Sequence, residues 1–354
     1  ELGSFKVRNG KVTELGHLIY KPIRSDSSLI VYGSSNSEWA KAYVNEFYPK
    51  ISQFISFDET ISWSNKNERI QRIYNNIKKN SNGLLRPFET TSGTVLFGSY
   101  LGSVRAWSPG EQIKSFDTGV QGSIESIAEL ENGKWIAGSE NGQIVVSGDF
   151  GLTWKDNGNQ FRNSSVIGLN QYKGKIFATV LSTKAVRIYY KHPDEVKWNL
   201  VSAHPLKFSF WTGISIFPES IAFQNKLITS LPSKAFAITN MDKLTTTEGD
   251  FPGAISAFTL SNDGVIRCLA AKTMAVNPYE SHDFGETWIS STHSRFMALP
   301  YFKDKINGYA LQGAWLSGKI DLSTTTNGGE SWTIQSSMPY RAQYFSHLKT
   351  TGDL

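Results

Sequence analysis

"SGDFGLTW", residues 147–154, returns as "SHDFGETW" at 281–288 and, with changes, as "TTNGGESW" at 325–332. All three fit S/T-x-D/N-x-G-x-S/T-W. An octet repeated in one chain is either a reactive site in three copies or a structural turn in three copies. The residue chemistry favours the turn. Asp149 and Asp283 can accept hydrogen bonds from backbone N–H groups of their own turn, and Asn327 can offer its carbonyl oxygen in the same way. Ser147, Ser281 and Thr325 add a hydroxyl. Gly151, Gly285 and Gly329 permit positive φ at the tight point. Trp154, Trp288 and Trp332 then each bury on the order of 200 Å² in a seam between neighbouring units. None of these roles needs a substrate.

The octets recur in phase with an independent repeat. "GTVLFGSYLGSVR" (Gly93–Arg105) aligns with "GKWIAGSENGQIV" (Gly133–Val145), glycines coinciding at 93/133, 98/138 and 102/142. "ESIAELENGKWIAG" from Glu125 likewise matches "ESIAFQNKLITS" from Glu219. Each unit reads strand, turn, strand, the grammar of a hairpin. Trp154 to Trp198 and Trp288 to Trp332 are both 44 residues, with Leu244 between them and "WSPGEQ" near residue 110 one unit before Trp154. Units of 40 to 46 residues therefore run from about residue 84 to 334. That length is one four-stranded blade of a β-propeller.

The fold expected is all-β, a propeller of seven four-stranded blades or, alternatively, six, with a small helical insertion. Residues 1–33 are expected to join the C-terminal stretch "YRAQYFSHLKTTGDL" in a composite blade, burying two otherwise open edges. Residues 34–82 form the insertion: "SEWAKAYVNEFY" is helical up to Pro49, and Ile70, Ile73, Tyr74 and Ile77 share one helical face. Residues 83–354 make the blades.

The octet resembles the Asp-box, or BNR repeat, of sialidase-like and related propellers. Three blades carry it cleanly, whereas "YKHPDEVKW" keeps the tryptophan and loses the glycine. The resemblance implies that the box lies on the outer turn between a blade's last two strands. In sialidases it further implies an arginine triad clamping a carboxylate, a Tyr–Glu nucleophile pair and an Asp acid/base. Arg86 beside Pro87, Arg105, Glu219, Tyr340, Arg341 and Tyr344 are the positions that match. The hairpin after Arg86 supplies no Asp, Lys234 stands where an arginine is wanted, and Glu125 repeats the setting of Glu219.

Composition narrows the remaining classes. Of 354 residues, 39% are hydrophobic, 13% aromatic and only 19% charged, which suits a β-rich protein in an extracellular or particle-surface setting. The net charge of +5 is scattered, so no nucleic-acid tail is expected. The single cysteine, Cys268, reads as a buried small hydrophobe. No stretch is apolar enough to cross a bilayer, and "ELGSFKVRNG" reads as a mature or excised start rather than a signal peptide. The six histidines show no metal-ligand spacing, and neither a phosphate loop nor a nucleophile elbow occurs. No cofactor or metal is expected.

The function expected is non-catalytic: a recognition scaffold for a glycan or protein on a cell or particle surface, with Trp211 and Trp315 as ligand-stacking residues. The alternatives are a sialidase-like glycoside hydrolase, and a complex-assembly factor or virion tail component. Fold analogy does not choose among them.

Overall fold

The computed structural model describes residues 9–12, 17–24, 27–33, 41, 44–45, 48–57, 84–120, 122–157, 161, 164–206, 218–231, 235–251, 254–272, 275–291, 300–312 and 320–338. Among them lie six four-stranded antiparallel sheets, spanning residues 85–117, 124–156, 165–205, 220–250, 254–290 and 301–338. Within every sheet the strands follow one another in sequence order. The chain is a six-bladed β-propeller, its blades numbered 1 to 6 along the sequence.

Six is the second of the two expected counts. The composite seventh blade rested on 22 residues left after Trp332, but the first of these, Thr333–Met338, already form the fourth strand of blade 6. The N-terminal hairpin of His17–Arg24 and Ser27–Gly33 pairs only with itself among the described residues. Residues 339–354 lie outside them. Within 34–82, the described Lys41, Val44 and Asn45 are helical, the Tyr48 N–H donates to the Val44 carbonyl at 2.8 Å, and Pro49–Ser52 form a short helical turn with Pro49 at its start. The face of Ile70, Ile73, Tyr74 and Ile77 lies outside the described residues.

The repeated glycines stand where one blade meets the next. A Cβ on Gly98 would come within 2.1 Å of the Ile124 carbonyl oxygen, and one on Gly138 within 2.5 Å of Val166 Cγ1. Each is where the second strand of a blade passes the innermost strand of its successor, so the 40-residue glycine spacing is the spacing of the blades.

Burial follows the same geometry. Leu96 and Val104 of blade 1 pack on Ile124, Ile127 and Trp135 of blade 2. Ile136 and Ile144 of blade 2 pack on Val166, Leu169 and Ile176 of blade 3. Phe177 and Ile188 meet Leu227 and Ala237 at the 3/4 seam, and Phe236 meets Phe258 and Ile266 at the 4/5 seam. The 5/6 seam is different in kind. Arg267, only 5% exposed, pairs with Asp263 at 2.7 Å and Glu280 at 3.4 Å, and its guanidinium lies 4.2 Å from the ring centre of Phe302 in blade 6. Ser261 Oγ accepts from both Arg267 and the Phe302 N–H, tying the ion pair to the next blade.

Candidate functional site

Four innermost strands, in blades 1, 2, 3 and 5, carry a register shift: between Leu85 and Phe88, Ile124 and Ser126, Val166 and Gly168, and Ile255 and Ala257. A bulge leaves its extra residue outside the ladder and re-aims it. In blade 1 Arg86 and Pro87 together stand opposite the single residue Phe97. Pro87 has no N–H for the ladder. Arg86 takes a φ of 42°, in the left-handed region that costs a non-glycine residue about 1–2 kcal/mol. In blade 3 the extra residue is Ile167, whose carbonyl is thereby turned out of the ladder.

The two bulges meet. Arg86 Nη1 donates to the Ile167 carbonyl oxygen, and Nη2 donates to the Pro218 carbonyl oxygen at 3.4 Å. Pro218 leads into blade 4, which stands opposite blade 1 in a ring of six. The arginine therefore crosses the propeller axis and ties blade 1 to blades 3 and 4.

Two carboxylates accompany it. Glu125 and Glu219 head the innermost strands of blades 2 and 4, the positions of the repeated "ESIA". Burial pushes the Glu125 carboxyl up from the usual range; Arg86 draws it back and Glu140 adds to the rise. Burial likewise pushes Glu219 up, opposed by Arg86 and by the Phe258 N–H. Beside Glu219, the buried Cys268 thiol is pushed well up, first by burial and then by that carboxylate's charge. Two partly desolvated carboxylates thus feel the charge of one guanidinium, two of whose N–H groups serve the backbone. Such an arrangement fastens the ring.

Of the sequence-derived candidates, the structure brings Arg86 and Glu219 together. Glu125 belongs with them, and the repetition that argued against Glu219 is what places both at the axis. Arg105 is on the third strand of blade 1, cross-strand from Phe97 and Ser115 and two strands out from Arg86. Tyr340, Arg341, Tyr344, Trp211 and Trp315 lie outside the described residues, as does Lys234. Among the described residues no cluster of three metal-ligating side chains occurs, and no helix is long and apolar enough to cross a membrane.

The octets sit at the opposite radius, between the third and fourth strands of blades 2, 5 and 6. Ser147 Oγ donates to Asp149 Oδ1 at 2.8 Å and accepts the Gly151 N–H at 2.8 Å. Asp149 accepts the Thr153 N–H at 2.8 Å and its hydroxyl at 2.6 Å, and Trp154 Nε1 donates to the Gly151 carbonyl at 3.0 Å. Ser281, Asp283, Gly285 and Thr287 repeat the scheme. In blade 6, Asn327 accepts the Ser331 N–H through its carbonyl oxygen and donates its amide to Ser331 Oγ. The Thr153 and Ser147 bonds hold Asp149 down at about 2. Burial raises Asp283, but the Thr287 and Ser281 bonds outweigh it and bring it to about 2. The tryptophans face inward: Trp288 stacks on Phe236 of blade 4 with ring centres 5.0 Å apart, and Trp154 packs on the 1/2 seam.

Blade 3 reaches the same end by other residues. Lys191, 1% exposed, stands seven residues before Trp198, the place of Ser147 before Trp154. Its ammonium donates to the Glu195 carbonyl at 3.1 Å and Asn157 Oδ1 at 3.3 Å, and lies 5.2 Å from the Trp198 ring centre. The serine accepts from the residue four on, whereas the lysine donates to it. Burial lowers the Lys191 pKa, and Glu195 partly restores it.

Fold and site define an all-β propeller fastened across its axis by an arginine and at its rim by repeated polar turns. No family model and no curated protein matches the chain. Among solved structures it is similar to YCF48 bound to a D1 peptide, at 10% identity and TM-score 0.50 over 68% of this chain and 78% of that one. It is also similar to a chain of the mitotic checkpoint complex, at 12% identity and TM-score 0.49 over 73% of this chain and 78% of that one. YCF48 from Cyanidioschyzon merolae follows at 13% identity and TM-score 0.48, over 71% and 84%. At these identities the likeness is one of fold.

Proposed function

We propose that the chain is a non-catalytic propeller of the Asp-box type, a scaffold that recognises a protein segment at a cell or particle surface. One observation carries this reading: the arginine best placed to clamp a substrate carboxylate instead donates across the axis to the Ile167 and Pro218 carbonyls. A clamp needs its guanidinium fork turned to the ligand, and here two of its N–H groups face the backbone. The rim octets are likewise occupied with their own turns. A rigid ring that spends its charged groups internally is suited to displaying edges and loops to a partner. The D1 peptide bound to YCF48 is a precedent for a peptide on this fold.

The test sets the readings against each other in one preparation. The purified chain and an Arg86→Ala variant are assayed on a fluorogenic glycoside panel with sialosides included, on a glycan array, and against linear peptides displayed on phage. Enrichment of peptides without turnover is the expected outcome. Turnover that disappears in Arg86→Ala would sink the scaffold reading, and binding confined to glycans would replace the protein partner with a sugar.

A further inference from the structure

The octets give one rim scaffold three times, and its flanking positions differ in blade 2. Trp135 pairs with Ser147, Ile266 with Ser281 and Gly308 with Thr325. Lys134, Val265 and Asn307 therefore stand one step beyond these pairs, beside the second residue of each octet. That second residue is Gly148 in blade 2, His282 in blade 5 and Thr326 in blade 6. The residue after the octet tryptophan is Lys155, Ile289 or Thr333. Of the three copies, blade 2 alone sets a lysine on either side of a glycine.

The consequence is a cleft. In blade 5 the imidazole of His282 occupies the position and reaches Glu280 at 3.6 Å. In blade 2 nothing projects from Gly148, and Lys134 passes over it, its Cε 3.9 Å from where a Cβ would stand. The space between these lysines and the last two strands of blade 2 is about 410 Å³, within the range of small-ligand sites. Donors and acceptors in its wall are unequally spent. Asp149 Oδ1 accepts the Ser147 hydroxyl and the Thr153 N–H, and Oδ2 accepts the Thr153 hydroxyl. Asp156 is engaged as well. An ammonium can only donate, so Asn157 turns its oxygen to Lys191 of blade 3 and leaves its amide N–H groups unspent. The ammonium groups of Lys134 and Lys155 have no hydrogen-bond or ion-pair partner among the described residues. What the cleft leaves open is a set of donors, and its complement is an acceptor with negative charge.

We propose that this cleft is an anion subsite that receives an aspartate or glutamate side chain of the partner segment. Lys134 and Lys155 hold the carboxylate, and the Asn157 amide supplies a third donor. The inference rests on the protein-recognition reading above and names where on the ring the segment is gripped. A single carboxylate suits a wall in which Asp149 and Asp156 offset the two lysines, whereas the second charge of a phosphate would go unbalanced. A sugar finds no aromatic ring in this wall on which to stack.

The test uses the full chain and the peptides it selects from the phage library. Three variants are made: Lys134→Gln with Lys155→Gln, Gly148→Thr, and Lys303→Gln at an exposed lysine of blade 6 as control. The selected peptides are expected to share an acidic residue. Replacing it by its amide should cut affinity about tenfold on the wild-type chain, two exposed ion pairs being lost together. The same replacement should change nothing on the double-glutamine variant. Gly148→Thr fills the cleft but keeps both lysines, so it should weaken the same peptides with the thermal midpoint near wild type. Bound peptide should also slow acylation of Lys134 and Lys155 by an amine-reactive reagent. Peptides that bind the double variant as well as wild type would overturn the cleft while sparing the recognition reading. An equal loss in Lys303→Gln would reduce the effect to the overall positive charge and overturn it too. A library that yields no binder overturns both. Binding of sialyllactose or inorganic phosphate that is lost in the cleft variants would overturn the carboxylate and assign the cleft to a sugar or a phosphate group.

Discussion

The rim and the axis of this propeller treat carboxylates in opposite ways. At the rim, Asp149 and Asp283 face water and collect hydrogen bonds that hold them charged, down at about 2. At the axis, Glu125 and Glu219 are pressed by burial towards the protonated form, and Arg86 only partly compensates. The rim turns are local, each closed by residues four or fewer apart in sequence. The axial tie is long-range, joining residues 81 and 132 apart. Short-range turns can be copied blade by blade, and the chain repeats them. Among the described residues the axial tie occurs once.

The largest way to break the contrast is to remove the tie. Arg86→Ala removes the positive charge near two half-buried carboxylates and frees two carbonyls, which should cost about 1–3 kcal/mol in urea unfolding. A loss under about 1 kcal/mol would show that the seams alone hold the ring.

Next comes the rim glycine. A Cβ on Gly151, at φ 90°, would meet Trp135 at 2.9 Å and Phe116 at 3.0 Å, whereas one on Gly285 meets Ile238 only at 3.4 Å. Gly151→Ala should therefore cost about 1–3 kcal/mol more than Gly285→Ala, the overpacking added to the shared backbone strain. Equal thermal midpoints would mean that the turn at Gly151 relaxes. Ser147→Ala should follow at about 1–2 kcal/mol, since it strips the acceptor from the Gly151 N–H. The same change at the less deeply set Thr325 should cost less.

The smallest effect sharpens the comparison most. A carboxyl whose folded value is raised is more stable protonated, so the axis loses stability as pH climbs from the ordinary glutamate value through the raised one. A carboxyl whose folded value is lowered contributes fully above the ordinary aspartate value and loses that contribution as pH falls towards about 2. Glu219→Gln should flatten the first slope and raise stability at neutral pH. Asp149→Asn, which installs the residue found at Asn327, should flatten only the acid slope. Denaturation midpoints across pH would read both, and a shared slope change would collapse the distinction.

What the sequence made legible follows this division. The octets and the 40-residue glycine spacing are local patterns, and they give blade length, turn position and the inward tryptophans. Arg86 and Glu219 were visible as candidates because they stand at positions that match the sialidase pattern. Their role was not, since the Ile167 carbonyl becomes an acceptor only through a bulge that no residue type marks. Lys191 was illegible for a related reason: a lysine in a serine's place reads as a degenerate octet until its ammonium is seen on the Glu195 carbonyl. The blade count turned on whether Thr333–Met338 closes one blade or opens another, and hydrogen bonding to Ile320–Thr325 decides it.

The cross-axis arginine also sets an order of events during synthesis. When blade 1 leaves the ribosome, neither acceptor of its arginine has yet been made. Ile167 appears 81 residues later and Pro218 132 residues later. Domains commonly begin folding as they emerge, yet here one tie of the first blade cannot form until half the ring has been made. The tie of the earliest blade is thus completed only when the start of the fourth arrives to receive it.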